Sequence, residues 1–281
     1  MKSYFKNKAS AFTTVWLALT ALTSIGTGGW AAEPGPAAHA DDRVLNNIDV
    51  LKASKPGEAM LGSVEQLRTE LAHLWDWKEQ GNRPLDVEVV ESKTKDGYKV
   101  DSMYINGYGD ANGQDRIFTT FARPETVTAD VPVYIELTGG SMGADGSLAM
   151  ARGEKCVVMC IEWRFGGSKF RSKWAKGTMG TTKEMGSLKA NGSFQLICGI
   201  RRAIDFLYTQ PGIDRKRIGC GGGSMGGFYT LLAAGIDNRI TFGMDALAAG
   251  HLDDSDSRLG QIDLDPERKQ IYLAAFDPHR Y

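Results

Sequence analysis

Cysteine, histidine and excess charge are all scarce in this chain. Only four of its 281 residues are cysteines: Cys156, Cys160, Cys198 and Cys220. That is no disulfide framework for a protein of this size. Cys156 and Cys160 share the run Cys-Val-Val-Met-Cys-Ile, which reads as a buried strand. Four strand residues set them about 13 Å apart, beyond the reach of a bridge, so buried free thiols are expected. There is no C-x-x-C and no H-E-x-x-H, and the four histidines (His39, His73, His251, His279) are scattered. No metal and no cofactor are expected from such a set. The formal net charge is −1, which provides no basic field for nucleic acid. With 42% hydrophobic and 24% charged residues, the composition excludes a wholly disordered chain and a polytopic membrane protein.

Glycine, in contrast, is plentiful: 34 residues, against a usual share of about 7%. The excess follows no collagen period and points to tight turns and close backbone approaches. At the amino end, Lys2, Lys6 and Lys8 precede an uncharged apolar run over residues 11–25. Small residues then occupy the −3 and −1 positions in Gly29-Trp30-Ala31 and in Ala38-His39-Ala40. This is the pattern of a secretory signal peptide, with cleavage near 31 or 40. The run is shorter than the roughly 20 residues of a membrane span. The expectation is an exported protein, periplasmic or secreted, with no membrane association after cleavage.

Residues 1–40 are thus read as signal peptide and leader, and 41–83 as an extension carrying one helix. In it Ser63 and Gln66 form a capping box, and Val64, Leu67, Leu71 and Leu74 share one face of a helix over residues 63–77. Residues 86–92 and 98–106 alternate apolar and polar around Lys95-Asp96-Gly97, a hairpin signal. Residues 116–122 make a third short strand. Beyond Pro124 continuous apolar strands (131–137, 156–163, 217–220, 240–247) alternate with helical patterns: Phe194, Ile197, Ile200, Ile204 and Leu207, then residues 228–234, then 266–275. Such alternation predicts an α/β fold, a mostly parallel sheet with helices on both faces. Ligands in these sheets bind at the carboxyl ends of the strands.

Two G-x-S-x-G motifs occur, at Ser141 and Ser224. The bare motif is weak, since about 0.2 chance occurrences are expected at this glycine content. A nucleophile elbow also needs a strand before the serine and a helix directly after it. Ser224 has both. Ser141 has the strand, but Ala144-Asp145-Gly146 is a poor helix start. Gly221, Gly223 and Gly226 also spell the dinucleotide fingerprint G-x-G-x-x-G, with Asp245 about 20 residues on. Only 55 residues follow Gly226, too few for the remaining βαβ units, and nicotinamide cofactors fit poorly with export. A glycine-rich turn without chemistry is the bland alternative.

The stretch Asp214-Arg215-Lys216-Arg217-Ile218-Gly219-Cys220-Gly221-Gly222-Gly223-Ser224-Met225-Gly226-Gly227 resembles the elbow of the α/β-hydrolase superfamily. Within that superfamily it is most similar to the acetyl xylan esterase and dienelactone hydrolase-like group. The Gly139-Gly140 loop and the Trp163-Arg164-Phe165-Gly166-Gly167 turn follow the order seen there. The resemblance spans about residues 84–281. A secreted prolyl-oligopeptidase-type peptidase has a similar elbow, but there is no room here for its propeller.

The resemblance implies an exported serine ester hydrolase acting on small-molecule or carbohydrate esters. Ser224 would be the nucleophile, and the N–H groups of Met225 and Gly140 the oxyanion donors. The family's acid and histidine follow two further strands, and neither those strands nor that pair is found after residue 247. His251, near Asp253, Asp254 and Asp256, reads as a surface-loop residue, and His279 as a terminal one. The hydrolase region is therefore expected to be incomplete, with ester turnover reduced on the order of 10⁴ to 10⁶. A catalytically inactive remnant that binds ligand is the alternative. The connection 165–192, rich in lysine and carrying Phe170 and Trp174, is expected to border the site, either as a basic aromatic lip or as a solvated loop.

Overall fold

The computed structural model describes residues 63–110, 113–126, 129–137, 156–162, 170, 172–173, 187–246, 248 and 265–281. The expected signal peptide and leader lie outside these residues. So do Gly140, Ser141, Trp174, His251 and the three aspartates near it.

Helix α1 (Val64–Ala72) starts as its capping box dictates: the Gln66 N–H donates to Ser63 Oγ at 3.1 Å, and the Ser63 N–H to Gln66 Oε1 at 3.0 Å. It stops five residues short of the expected end. Leu74 and Trp75 leave the helical path to enter the core, where Trp75 packs on Phe194 and Phe276. A short α2 (Lys78–Gly81) follows. Strands β1 (Glu88–Lys95) and β2 (Tyr98–Asp110) form the expected hairpin. Its two turn residues, Asp96 (φ 54°) and Gly97 (φ 78°), both take the positive φ of a type I′ turn. Then come β3 (Gly113–Pro124), β4 (Val131–Leu137), β5 (Val157–Ile161), α3 (Gly192–Thr209), β6 (Ile213–Gly223), α4 (Met225–Ile236), β7 (Phe242–Ala246) and α5 (Pro266–Phe276).

The sheet is a mixed one, in the order β1-β2-β3-β5-β4-β6-β7. The pairings among β1, β2, β3 and β5 are antiparallel, and those among β5, β4, β6 and β7 are parallel. One face carries the main core. Val133, Ile135 and Leu137 of β4 and Ile218 and Cys220 of β6 pack there with residues of α1, α3, α4 and α5. The other face carries two smaller clusters, one around Tyr98, Tyr134, Cys156 and Val158, the other around Tyr104, Phe118 and Cys160. All four cysteines are buried free thiols, and burial pushes Cys198 and Cys220 up to about 12.

Of the long connection 165–192, residues 170, 172 and 173 lie on the sheet, while Leu188 and Lys189 donate by backbone to Glu70 of α1. Lys173 pairs by backbone with Arg116 and holds its ammonium 4.6 Å from the Tyr104 ring centre, while Phe170 stacks on Phe118.

A buried cation gathers the segment over residues 80–83. Arg202 of α3, 1% exposed, donates to the carbonyls of Asn106 (3.2 Å), Gln80 (3.0 Å), Gly81 (3.3 Å) and Arg83 (2.6 Å) and pairs with Asp205 at 3.0 Å. A guanidinium's flat fork of five donors suits this task; a lysine ammonium lacks the spread to reach four carbonyls. Arg202→Lys should therefore lower stability by about 2–4 kcal/mol, because buried carbonyls lose their donor. Urea unfolding monitored by tryptophan fluorescence would measure the loss.

Candidate active site

Ser224 stands where three parallel strands end. Leu137 of β4 pairs with Gly222 and Ala246 of β7 pairs with Gly223, so both neighbouring strands finish beside the elbow. The Ser224 N–H donates to the Ala246 carbonyl at 2.7 Å, and its own carbonyl receives the Phe228 N–H at 3.1 Å, opening α4. Ser224 has φ 55° and ψ −117°. For a residue with a Cβ this is a strained conformation, worth on the order of 1–3 kcal/mol. The reversal from strand to helix takes this one residue, and the Ser224 side chain is left exposed at the tip.

The glycines around it are sterically required. A Cβ on Gly222 would run into the Leu137 carbonyl oxygen and come within 3.0 Å of the Gly226 Cα. One on Gly227 would meet Asp245 Oδ1 and come within 3.0 Å of the Ala248 Cβ. The turn can form only because the chain on both sides of the serine lacks side chains. Met225 opens α4, so its N–H has no carbonyl four residues back within the helix. That is the condition for an amide aimed at developing negative charge.

Among the described residues, neither a histidine nor a carboxylate is assembled with Ser224; Gly140 and His251 lie outside them. Among the described residues, none hydrogen-bonds the Ser224 hydroxyl. His279 sits in a turn whose neighbour Tyr281 packs on Gly235, near the far end of α4. Gly235 is about ten helical residues from the serine, on the order of 15 Å. Asp245, considered above as a ribose ligand, instead accepts the Ala248 N–H at 3.1 Å and braces the turn after β7 against Gly227.

One titratable group near the site escaped sequence reading. Glu136 lies on β4 one residue before its end, in register with Cys160 on β5 and Gly221 on β6, and shares a face with Tyr134. Its Oε2 is buried and has no hydrogen-bond partner among the described residues. Burial alone pushes the carboxyl up to about 7. The signal was present as the single charge in Val-Pro-Val-Tyr-Ile-Glu-Leu, but nothing local says that its surroundings are dry.

No protein-family model matches the chain, and no curated protein sequence does. Solved structures do. The acetyl xylan esterase from Paenibacillus sp. R4 superposes with a TM-score of 0.56 at 20% identity, over 83% of this chain and 78% of that one. Acetyl xylan esterase 1 from Thermoanaerobacterium sp. JW/SL YS485 gives 0.55 at 17% identity, over 84% and 78%. The fold is that of the α/β-hydrolase esterases. Within it Ser224 is at the strand-to-helix turn after β6, the strand next to β4.

Two measurements follow from this geometry. Replacing the strained residue by glycine relieves the positive φ, whereas alanine keeps it. Ser224→Gly should therefore melt several degrees above Ser224→Ala in a thermal scan. Glu136 keeps its proton in the folded chain at pH values where the unfolded chain, with an ordinary value of 4.5, has released it. Stability should then fall as pH rises from about 4.5 to about 7 and level off above that, by on the order of 3 kcal/mol. Denaturant midpoints against pH should show this slope in the wild type and a flatter one in Glu136→Gln.

Proposed function

We propose that this chain is an exported serine ester hydrolase of the carbohydrate acetyl esterase type. In this reading the Ser224 hydroxyl attacks the carbonyl of an acylated sugar or small ester, and the hydroxyl proton passes to a base. The tetrahedral oxyanion is held by the N–H groups of Met225 and Gly140. Collapse expels the alcohol and leaves an acyl-enzyme, which water then hydrolyses to acid and free serine. The observation that carries the reading is the backbone of Ser224, a non-glycine residue at φ 55° between a strand and a helix. Strain of this kind persists where surrounding structure enforces it, and it clusters at active sites. The substrate class rests on the likeness to the acetyl xylan esterases, and export on the amino-terminal segment.

A second reading, a ligand-binding protein on the same scaffold, is favoured by a specific observation: no described residue accepts a hydrogen bond from the Ser224 hydroxyl. Without a base the serine keeps its proton and is a weak nucleophile.

A fluorophosphonate probe separates the two. With the base not found, reaction of the 281-residue chain should be slow; any labelling should be lost in Ser224→Ala and retained in Ser141→Ala. Labelling that follows Ser141 instead would overturn the assignment of the nucleophile. A folded chain that takes up no probe would support the ligand-binding reading. Hydrolysis of p-nitrophenyl acetate that disappears in both Ser224→Ala and His251→Ala would make His251 the base.

A further inference from the structure

A second concave site lies on the core face of the sheet, at the opposite edge from Ser224. It is a cavity of about 630 Å³ between the ends of β1–β3 and the turn linking α3 to β6, with Lys99, Arg123, Glu125, Phe121, Pro124 and Pro211 in its wall. That volume is in the range of small-molecule sites. Ile213 in its wall pairs with Val131, and six residues of β4 separate that level from Leu137 beside the elbow, about 20 Å at strand rise.

Of the three cationic residues lining this cavity, Lys93, Lys99 and Arg123, the last two meet. Lys99 and Arg123 are direct cross-strand partners in the β2–β3 ladder. Arg123 lies two residues beyond the core residue Phe121, and Lys99 four before the core residue Met103, so both are on the core face. Like charges directly opposite each other on one face are destabilising unless something offsets them. Lys99 has Asp101, at 3.3 Å. Arg123 makes no hydrogen bond or ion pair among the described residues.

The nearby groups that might occupy Arg123 are already engaged. Asp101 is shared between Lys99 and the Ser92 hydroxyl, the latter at 2.6 Å. Glu125 accepts the Thr94 hydroxyl at 3.0 Å. The last-turn carbonyls of α3 are also taken: Phe206 by Thr209 Oγ1 (2.7 Å), Leu207 by the Gln210 N–H (3.0 Å) and Tyr208 by Arg215 (2.7 Å). Arg123 is therefore not placed there to cap that helix.

The geometry points to a binding site for a uronate sugar, with the Arg123 guanidinium and the Lys99 ammonium receiving its carboxylate. A planar guanidinium fork matches a carboxylate. Asp101 already balances Lys99, which leaves Arg123 as the uncompensated cation, and one cation suits a single negative charge better than a dianion such as phosphate. The carboxylate of Glu125 and the hydroxyl of Thr94 face the hydroxyls of a sugar ring, and Pro124 and Pro211 its apolar C–H surface. This site is separate from the chemistry proposed at Ser224, and its test does not depend on turnover.

Isothermal titration of the full chain, as wild type and as Ser224→Ala, with trigalacturonate and with xylotriose at low salt would test it. Trigalacturonate should bind both proteins equally and at least tenfold tighter than the neutral xylotriose. Arg123→Ala should lose that advantage, and Arg123→Lys should keep part of it. If Arg123→Ala does not fold, as judged by circular dichroism, Lys99→Ala takes its place with a smaller expected loss. Equal affinity for xylotriose, binding unchanged in Arg123→Ala, or competition by inorganic phosphate as strong as by the uronate would each overturn the proposal. Binding lost in Ser224→Ala but kept in Arg123→Ala would move the sugar to the other site.

Discussion

The contact between the Leu137 carbonyl and Gly222 constrains everything around Ser224. Strand β6 has to run alongside β4 to its end and then reverse into α4 within a single residue. The room for that reversal exists only because Gly222 presents no Cβ to the β4 backbone and Gly227 none to Asp245. Ser224 meets the remaining cost by taking a positive φ, secured on one side by its N–H bond to Ala246 and on the other by the first turn of α4. The serine is thus held by backbone, not by side-chain partners, and its exposure follows from the sharpness of the turn.

The platform beneath has its own support. Helix α3 lies across the antiparallel and parallel parts of the sheet and carries, one residue apart, the cations that fasten the chain preceding β1. Arg202 gathers four carbonyls, while Arg201 donates to the Trp75 carbonyl at 2.8 Å and stacks 4.1 Å over the Trp77 ring. Asp237 and Asp205 are shared among three guanidinium groups: Arg201 and Arg239 both pair with Asp237, and Arg202 and Arg239 both pair with Asp205. Burying so many charges costs free energy unless they are paired, and each of these has a partner of opposite sign. The extension over residues 63–85 is therefore part of the core.

The two edges of the sheet differ in character. At the carboxyl edge the groups are backbone amides, an exposed hydroxyl and, just behind, the Glu136 carboxyl, whose hold on its proton is raised by burial. At the opposite edge the ends of β1–β3 line an open cavity with charged side chains. The first arrangement suits a reacting carbonyl and the second suits a charged ligand.

The sequence by itself determined what depends on short range. The capping box at Ser63, the Asp96-Gly97 turn, the limits of β4 and the strand–serine–helix order at Ser224 are all written within a few residues of where they act. Its boundaries failed where distant partners intervened. Helix α1 ends at Ala72 because Leu74 and Trp75 are drawn into the core, where the Trp75 indole donates to the hydroxyl of Tyr281, 206 positions away. Strand β6 extends beyond its apolar stretch in both directions because β4 supplies a ladder for residues such as Gly221 and Gly222 that have no strand preference of their own. Only the tertiary structure decided that Glu136 sits in dry surroundings, that Asp245 braces the elbow and that Arg123 opposes Lys99 in an open cavity. A side chain's charge and hydrogen bonding depend on which distant segments lie beside it, and local pattern does not encode that.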